Sequence, residues 1–147
     1  MKIVSACLVG INCKYDGKNN LSKKVLDMAR KGEAIPVCPE QLGGLTTPRE
    51  PAYLTKSGEY VLKNEAKVFS EKGEDLTKNF VKGAKEVLRI AKLLGVKEAI
   101  LKAGSPSCGF GKTWINKKIR KGNGVTAALL SKNGIKIYTE EDLNGKN

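Results

Sequence analysis

The strongest constraint on the fold is an alternation of short apolar segments with segments of helical spacing. Strand-like segments cover residues 2–7, 34–38, 97–101 and 135–138, and helix-like segments cover residues 21–30, 75–94 and 125–132. Strands that alternate with helices form a mainly parallel sheet with helices on both faces. We therefore expect one Rossmann-like, three-layer α/β domain that spans residues 1–147.

The segments between these elements predict loops and a hairpin. Residues 39–57 and 102–114 are rich in proline and glycine, which predicts irregular structure in both. The short apolar runs at residues 59–62 and 66–69 predict two paired strands. We expect Asp75 to accept a hydrogen bond at the start of the long helix.

The cysteine and histidine counts limit the chemistry that the chain can perform. It has four cysteines and no histidine. No signal-peptide pattern or membrane-length apolar run is present, so we expect a cytoplasmic, reducing location where cysteines act as ligands, nucleophiles or core residues. The lack of histidine excludes histidine bases and leaves acid–base work to carboxylates, lysines, tyrosines and cysteines.

Three cysteines occupy equivalent places in the predicted sheet. Cys7 and Cys38 end the first two strands, and Cys108 lies in the loop after the third. Ligands of such sheets bind beyond the carboxyl ends of the strands, so we expect these thiols to meet. The cysteines form no C-x-x-C pairs, which disfavours a zinc ribbon, and three thiolates fit an iron–sulfur cluster better. A four-iron cluster on three ligands keeps one iron open as a Lewis acid.

Polar residues beside these cysteines suggest catalysis. Glu40 follows Cys38 by two positions, and Ser105 and Ser107 precede Cys108. Glu40 is either a general acid–base beside a thiolate ligand or an ordinary surface glutamate. The segment with Ser105 and Ser107 is either part of a ligand site or an ordinary turn. Cys13 is a candidate fourth ligand, a second redox thiol or a small loop hydrophobe.

The chain carries a net charge of +12 at pH 7. This charge suits an acidic partner such as RNA, but the lysines are spread along the chain, which favours a solubilising coat. The densest basic patch surrounds Trp114 and consists of Lys112, Lys117, Lys118, Arg120 and Lys121.

Several short motifs are each weak alone but specific in their order and spacing. They are Ser5-Ala6-Cys7-Leu8, Tyr15-Asp16-Gly17, Cys38-Pro39-Glu40 with Gly43-Gly44, Pro48-Arg49, Ser105-Pro106-Ser107-Cys108-Gly109 and the stretch 122–130. Together they resemble the thiouracil desulfidase family over almost the whole chain. After Cys108, members commonly have a Tyr-Asp-Gly-like stretch, where this chain has Trp114-Ile115-Asn116-Lys117.

The resemblance implies an α/β fold that binds a 4Fe-4S cluster through Cys7, Cys38 and Cys108. Members often lack a cysteine at position 13, which argues against a required ligand there. The family's catalytic glutamate matches Glu40. Its catalytic serine falls in residues 105–108, where Ser105 is favoured and Ser107 is the alternative.

The resulting hypothesis is a non-redox desulfidase that converts a thiolated pyrimidine such as thiouracil to uracil and releases sulfide. Glu40 would activate water, and Ser105 would orient the substrate or relay a proton. One alternative is a protein that binds RNA or acts on thiolated tRNA, with the basic patch as its contact surface. Another is a structural metal-binding or cluster-binding domain. No membrane partner is expected.

Overall fold

The computed structural model describes residues 1–144. Within this range two four-stranded sheets are flanked by helices. The strands are β1 Lys2–Ser5, β2 Ala34–Val37, β3 Ala52–Leu54, β4 Val68–Ser70, β5 Glu98–Leu101, β6 Lys112–Ile115, β7 Lys118–Lys121 and β8 Lys136–Thr139. The helices are α1 Lys23–Arg30, α2 Pro39–Leu42, α3 Gly58–Leu62, α4 Thr77–Leu94, α5 Val125–Lys132 and α6 Glu140–Asn144, and a 3₁₀ helix covers Ala6–Val9.

The first sheet is parallel and has the strand order β2-β1-β5-β8. One face packs on α4 and α5, where Leu101 lies beside Val87 in a buried cluster. The other face packs on α1, where Ile100 lies beside Val25. Because both faces are covered, the inner strands β1 and β5 bury three consecutive residues each. The predicted α/β class, with a mainly parallel sheet and helices on both faces, is confirmed.

The second sheet, with the order β4-β3-β6-β7, was not predicted. It is mixed, because β3 pairs antiparallel with β4 and parallel with β6. β6 and β7 form a hairpin whose turn residues, Asn116 and Lys117, have φ angles of 49° and 67°. Positive φ at both positions is typical of the tight turns that join twisted strands. β6 begins inside the predicted loop 102–114, which is therefore not wholly irregular, and burial alternates along it from buried Thr113 to exposed Trp114.

The predicted hairpin at residues 59–62 and 66–69 is wrong. Gly58–Leu62 is helical, and its Gly58 packs so closely on α5 that an added Cβ would lie 2.4 Å from the Gly124 carbonyl oxygen. This close approach places Val61 in the core of the second sheet. β4 pairs instead with β3, which lies within the predicted loop 39–57.

The predicted helices agree closely with the structure, whereas the predicted strand 2–7 ends at Ser5 and the predicted loop 39–57 also contains α2. α1, α4 and α5 lie within their predicted ranges. The backbone N–H of Thr77 donates to Asp75 Oδ1 at 2.9 Å, as expected for the start of the long helix. Within residues 1–144, no helix is both long enough and apolar enough to cross a membrane.

Candidate functional site

A cavity of about 490 Å³ opens where β1, β2 and β5 end. These strands are neighbours in the first sheet, so the segments that follow them converge. The structure places Cys7, Cys38 and Cys108 on the wall of this cavity together with Cys13. Among the candidate acid–base residues, Glu40 and Ser105 line the same wall.

Cys38 lies at the start of α2, where it is followed by Pro39 at a position that suits proline. Its Sγ is 3.8 Å from both the Cys13 carbonyl oxygen and Glu40 Oε1. The hydrogen bond from the Cys13 thiol lowers the pKa of Cys38, helped by the backbone N–H of Gln41. The same hydrogen bond raises the pKa of Cys13, and burial adds to that increase. Cys38 is therefore the member of this pair that ionises first.

The other two thiols are held in less polar surroundings. Cys7 follows β1 in the 3₁₀ helix, and burial is the main cause that raises its pKa. Cys108 is only 4% exposed, and burial raises its pKa well above the ordinary value. Both shifts describe the protein without metal, since binding to a metal favours the thiolate.

The two candidate serines have different surroundings. Ser105 Oγ accepts hydrogen bonds from the backbone N–H groups of Ser107 and Cys108, at 3.1 and 3.0 Å. Ser107 is 1% exposed, and its hydroxyl lies 2.8 Å from the hydroxyl of Thr126. Ser105 therefore presents its oxygen at the cavity wall, whereas the Ser107 hydroxyl is occupied inside the protein.

The loop at residues 105–109 also caps α5. Backbone N–H groups at the start of the helix donate to the carbonyl oxygens of Pro106 and Ser107, from Val125 at 3.0 Å and Thr126 at 2.9 Å. These are the groups that a helix start leaves without internal partners. A Cβ at Gly124 would lie 2.5 Å from the Ser107 carbonyl oxygen, so only glycine allows this approach. The contact joins the stretch 122–130 to the Cys108 loop.

Arg49 connects the segments around Cys38, a role that was not predicted. Its Nη2 donates to the Cys13 carbonyl oxygen at 2.9 Å and lies 3.9 Å from Glu40 Oε2. Its backbone N–H donates to the Tyr15 carbonyl oxygen at 2.8 Å. The Arg49 and Glu40 side chains are 11% and 14% exposed, so they are shielded from solvent. The only sequence signal was the Pro48-Arg49 motif itself.

The basic patch lies on the β6–β7 hairpin beside the cavity mouth. Lys112, Trp114 and Ile119 line the cavity, as does Tyr15. Lys118 and Lys121 belong to the exposed outer strand. The patch therefore borders the same cavity as the thiols.

Comparison with known proteins agrees with this arrangement. A family model described as 2-thiouracil desulfurase matches residues 3–142. The chain belongs to this family. An uncharacterised Bacillus subtilis (strain 168) protein, YbbK, is 44% identical over 149 residues, which cover 98% of both chains.

A solved structure also resembles this member of the 2-thiouracil desulfurase family. It is described as the [4Fe-4S]-dependent thiouracil desulfidase TudS, a DUF523 protein, and it is 38% identical with a TM-score of 0.84. The match covers 97% of this chain and 92% of that one. The family predicted from the short motifs is therefore confirmed.

Proposed function

We propose that the protein removes sulfur from thiouracil or a closely related thiolated pyrimidine, with water as the second substrate and sulfide as the second product. The observation that carries this proposal is one cavity wall with the thiols of Cys7, Cys38 and Cys108, the Glu40 carboxylate and the Ser105 hydroxyl. The family and the solved desulfidase support the same reaction. They favour it over the RNA-binding and structural-metal alternatives.

The donor set fits an iron–sulfur cluster. Cys7, Cys38 and Cys108 line one cavity, and a cluster binds each of its cysteine ligands through a different iron. We propose that Cys7, Cys38 and Cys108 hold a 4Fe-4S cluster. When bound, such a cluster supplies an open iron that can polarise the carbon–sulfur bond of the substrate.

Glu40 is the proposed general base. Its Oε1 lies 3.8 Å from Cys38 Sγ, so the carboxylate sits directly beside a proposed ligand. Arg49 approaches its other oxygen at 3.9 Å and limits the directions in which the carboxylate can point. In that position Glu40 takes a proton from the water whose oxygen replaces the substrate sulfur.

Ser105 is the proposed proton relay and substrate contact. Two backbone N–H groups donate to its oxygen, so its own hydroxyl proton is available to a group in the cavity. The same two donors stabilise negative charge on the oxygen while the proton is transferred. Ser107 lacks this freedom because of its buried contact with Thr126.

The test is anaerobic reconstitution with iron and sulfide, followed by incubation with 2-thiouracil and with 4-thiouracil. We expect loss of thione absorbance and an equal amount of released sulfide. Cys108→Ala should lose both the bound iron and the activity, whereas Glu40→Ala should keep the iron and lose the activity. Full activity in either variant would overturn the assignment. Stoichiometric zinc without visible iron absorbance would instead favour a structural metal site.

A further inference from the structure

The proposed reaction leaves one thiol of the cavity unused. Cys13 is 3% exposed and lies in the loop between the 3₁₀ helix and α1. The Cys38 sulfur lies 3.8 Å from the Cys13 carbonyl oxygen, and both cysteines line the same cavity. A buried, unassigned cysteine beside a partly exposed one is the arrangement of a resolving cysteine beside a reactive cysteine.

We propose that Cys13 is a resolving thiol that forms a reversible disulfide with Cys38 when the protein has lost its cluster. The oxidant class is hydrogen peroxide or another small peroxide. The disulfide itself does not depend on the proposed reaction. Its consequence for cluster loading rests on the proposed function, because that proposal makes Cys38 a ligand.

The chemistry is a balanced two-electron oxidation. The Cys38 thiolate attacks one peroxide oxygen, the O–O bond breaks, and Cys38 becomes a sulfenic acid while hydroxide leaves and takes up a proton as water. The Cys13 sulfur then attacks the Cys38 sulfur. The S–S bond forms, the S–O bond breaks, and the departing hydroxide takes the Cys13 proton as a second water. The peroxide is reduced and both thiols are oxidised.

The surroundings favour Cys13 over Cys108 as the partner of Cys38. Cys108 lies in the loop that caps α5 through main-chain hydrogen bonds, so its backbone has little room to move. Cys13 lies in a loop that Arg49 holds through two carbonyl oxygens, those of Cys13 and Tyr15. Cys38 Sγ already lies 3.8 Å from the Cys13 carbonyl oxygen, which keeps these two residues side by side, as disulfide geometry requires.

The proposed consequence is protection of the ligand. A sulfenic acid without a resolving thiol is oxidised further to sulfinic and sulfonic acids, which thiol reductants do not reverse. The disulfide blocks that oxidation, and reduction by a dithiol returns both residues to thiols. The protein would therefore recover a complete ligand set after oxidative loss of its cluster.

The experiment uses the full chain, stripped of iron with a chelator and treated with hydrogen peroxide before alkylation and trypsin digestion. Cys7 and Cys13 fall in one tryptic peptide, residues 3–14, while Cys38 falls in residues 32–49. Peptide masses alone would not separate the two candidates, so Cys7→Ser is the matched control for Cys13→Ser. We expect a dithiothreitol-sensitive cross-link between these peptides in wild type and in Cys7→Ser, and its loss in Cys13→Ser.

A second readout follows the fate of Cys38. In Cys13→Ser, peptide 32–49 should gain two or three oxygen atoms, and iron reloading after reduction should fall at least about tenfold relative to wild type, because those oxidation states resist thiols. A cross-link that survives in Cys13→Ser, or that joins peptide 103–112 instead, would overturn the proposal. Equal reloading of Cys13→Ser and wild type would overturn its protective role. Neither outcome depends on turnover, so failure of the proposed reaction shows separately as absent desulfuration by the loaded wild type.

Discussion

The two sides of the cavity are built in different ways. On the Cys108 side, backbone groups of the loop at residues 105–109 bond to the start of α5, and Gly124 allows the close approach. On the Cys38 side, a four-residue helix and the Cys13 loop are joined largely by the side chain of Arg49. The position of the first side therefore depends mainly on backbone contacts. The second side depends on the identity of individual side chains.

The largest expected effect is on the Cys38 side, at Glu40. Glu40→Gln keeps the size of the side chain but removes the base, so we expect the turnover rate to fall by about 10²–10⁴-fold with iron content unchanged. The measurement is initial sulfide release at a fixed amount of bound iron. A fall of less than tenfold at full iron content would remove Glu40 from the role of base.

The next effect tests the backbone of the Cys108 side. Gly124 has an extended backbone with φ −68° and ψ 169°, so Gly124→Ala is penalised by its clash with the Ser107 and Pro106 carbonyl groups rather than by backbone strain. We expect the free energy of unfolding to fall by about 3 kcal/mol, the cost of overpacking a tight contact. Chemical denaturation measures it, with Lys132→Ala at the exposed end of α5 as the control. An unchanged free energy of unfolding would contradict the conclusion that backbone contacts determine the Cys108 side of the cavity.

Arg49→Lys tests the side chain that organises the Cys38 side. Lysine keeps the charge but cannot reproduce the fork of contacts to the Cys13 carbonyl oxygen and Thr47 Oγ1. We expect about a tenfold loss of turnover, because misplacement of a catalytic group weakens catalysis even when the group is present. Arg49→Gln should lose more than Arg49→Lys. Equal rates in wild type and both variants would show that Glu40 needs no such support.

The smallest expected effect is at Ser107. Ser107→Ala removes its hydrogen bond to Thr126, so we expect a stability loss of about 1 kcal/mol and turnover within twofold of wild type. Ser105→Ala is the paired variant and should lose turnover. If Ser107→Ala instead abolishes turnover while Ser105→Ala does not, the proposed serine is the wrong one of the two.

The first sheet could be predicted well because the pattern that indicates each strand lies within a few consecutive residues. Each parallel strand contains a short apolar run. Cys7 and Cys38 lie within two residues of the ends of β1 and β2, and Cys108 lies in the loop after β5. Ligands of parallel sheets bind beyond the carboxyl ends of the strands, and this rule predicted that the three thiols meet there. Their convergence therefore required no knowledge of long-range contacts.

The parts that could not be predicted depend on contacts between distant residues. β3 is three residues long, and its pairing with β4 and β6 defines it more than its own composition does. Arg49 reaches the Cys13 carbonyl across 36 positions of the chain. Ser105 and Ser107 carry the same side chain, and the structure distinguishes them because Ser107 is buried against Thr126 whereas Ser105 lines the cavity.

The capping of α5 by the Cys108 loop links metal occupancy to the folding of a helix. Under the proposed ligation, a metal-bound Cys108 also holds the neighbouring carbonyl oxygens in place. These oxygens, of Pro106 and Ser107, accept hydrogen bonds from the backbone N–H groups of Val125 and Thr126. Ligand binding to the native state then raises the free energy of local opening at this helix start. Amide hydrogen exchange at Val125 and Thr126 should therefore slow on cluster loading. This exchange rate measures cluster occupancy without a substrate and without the visible absorbance of the cluster.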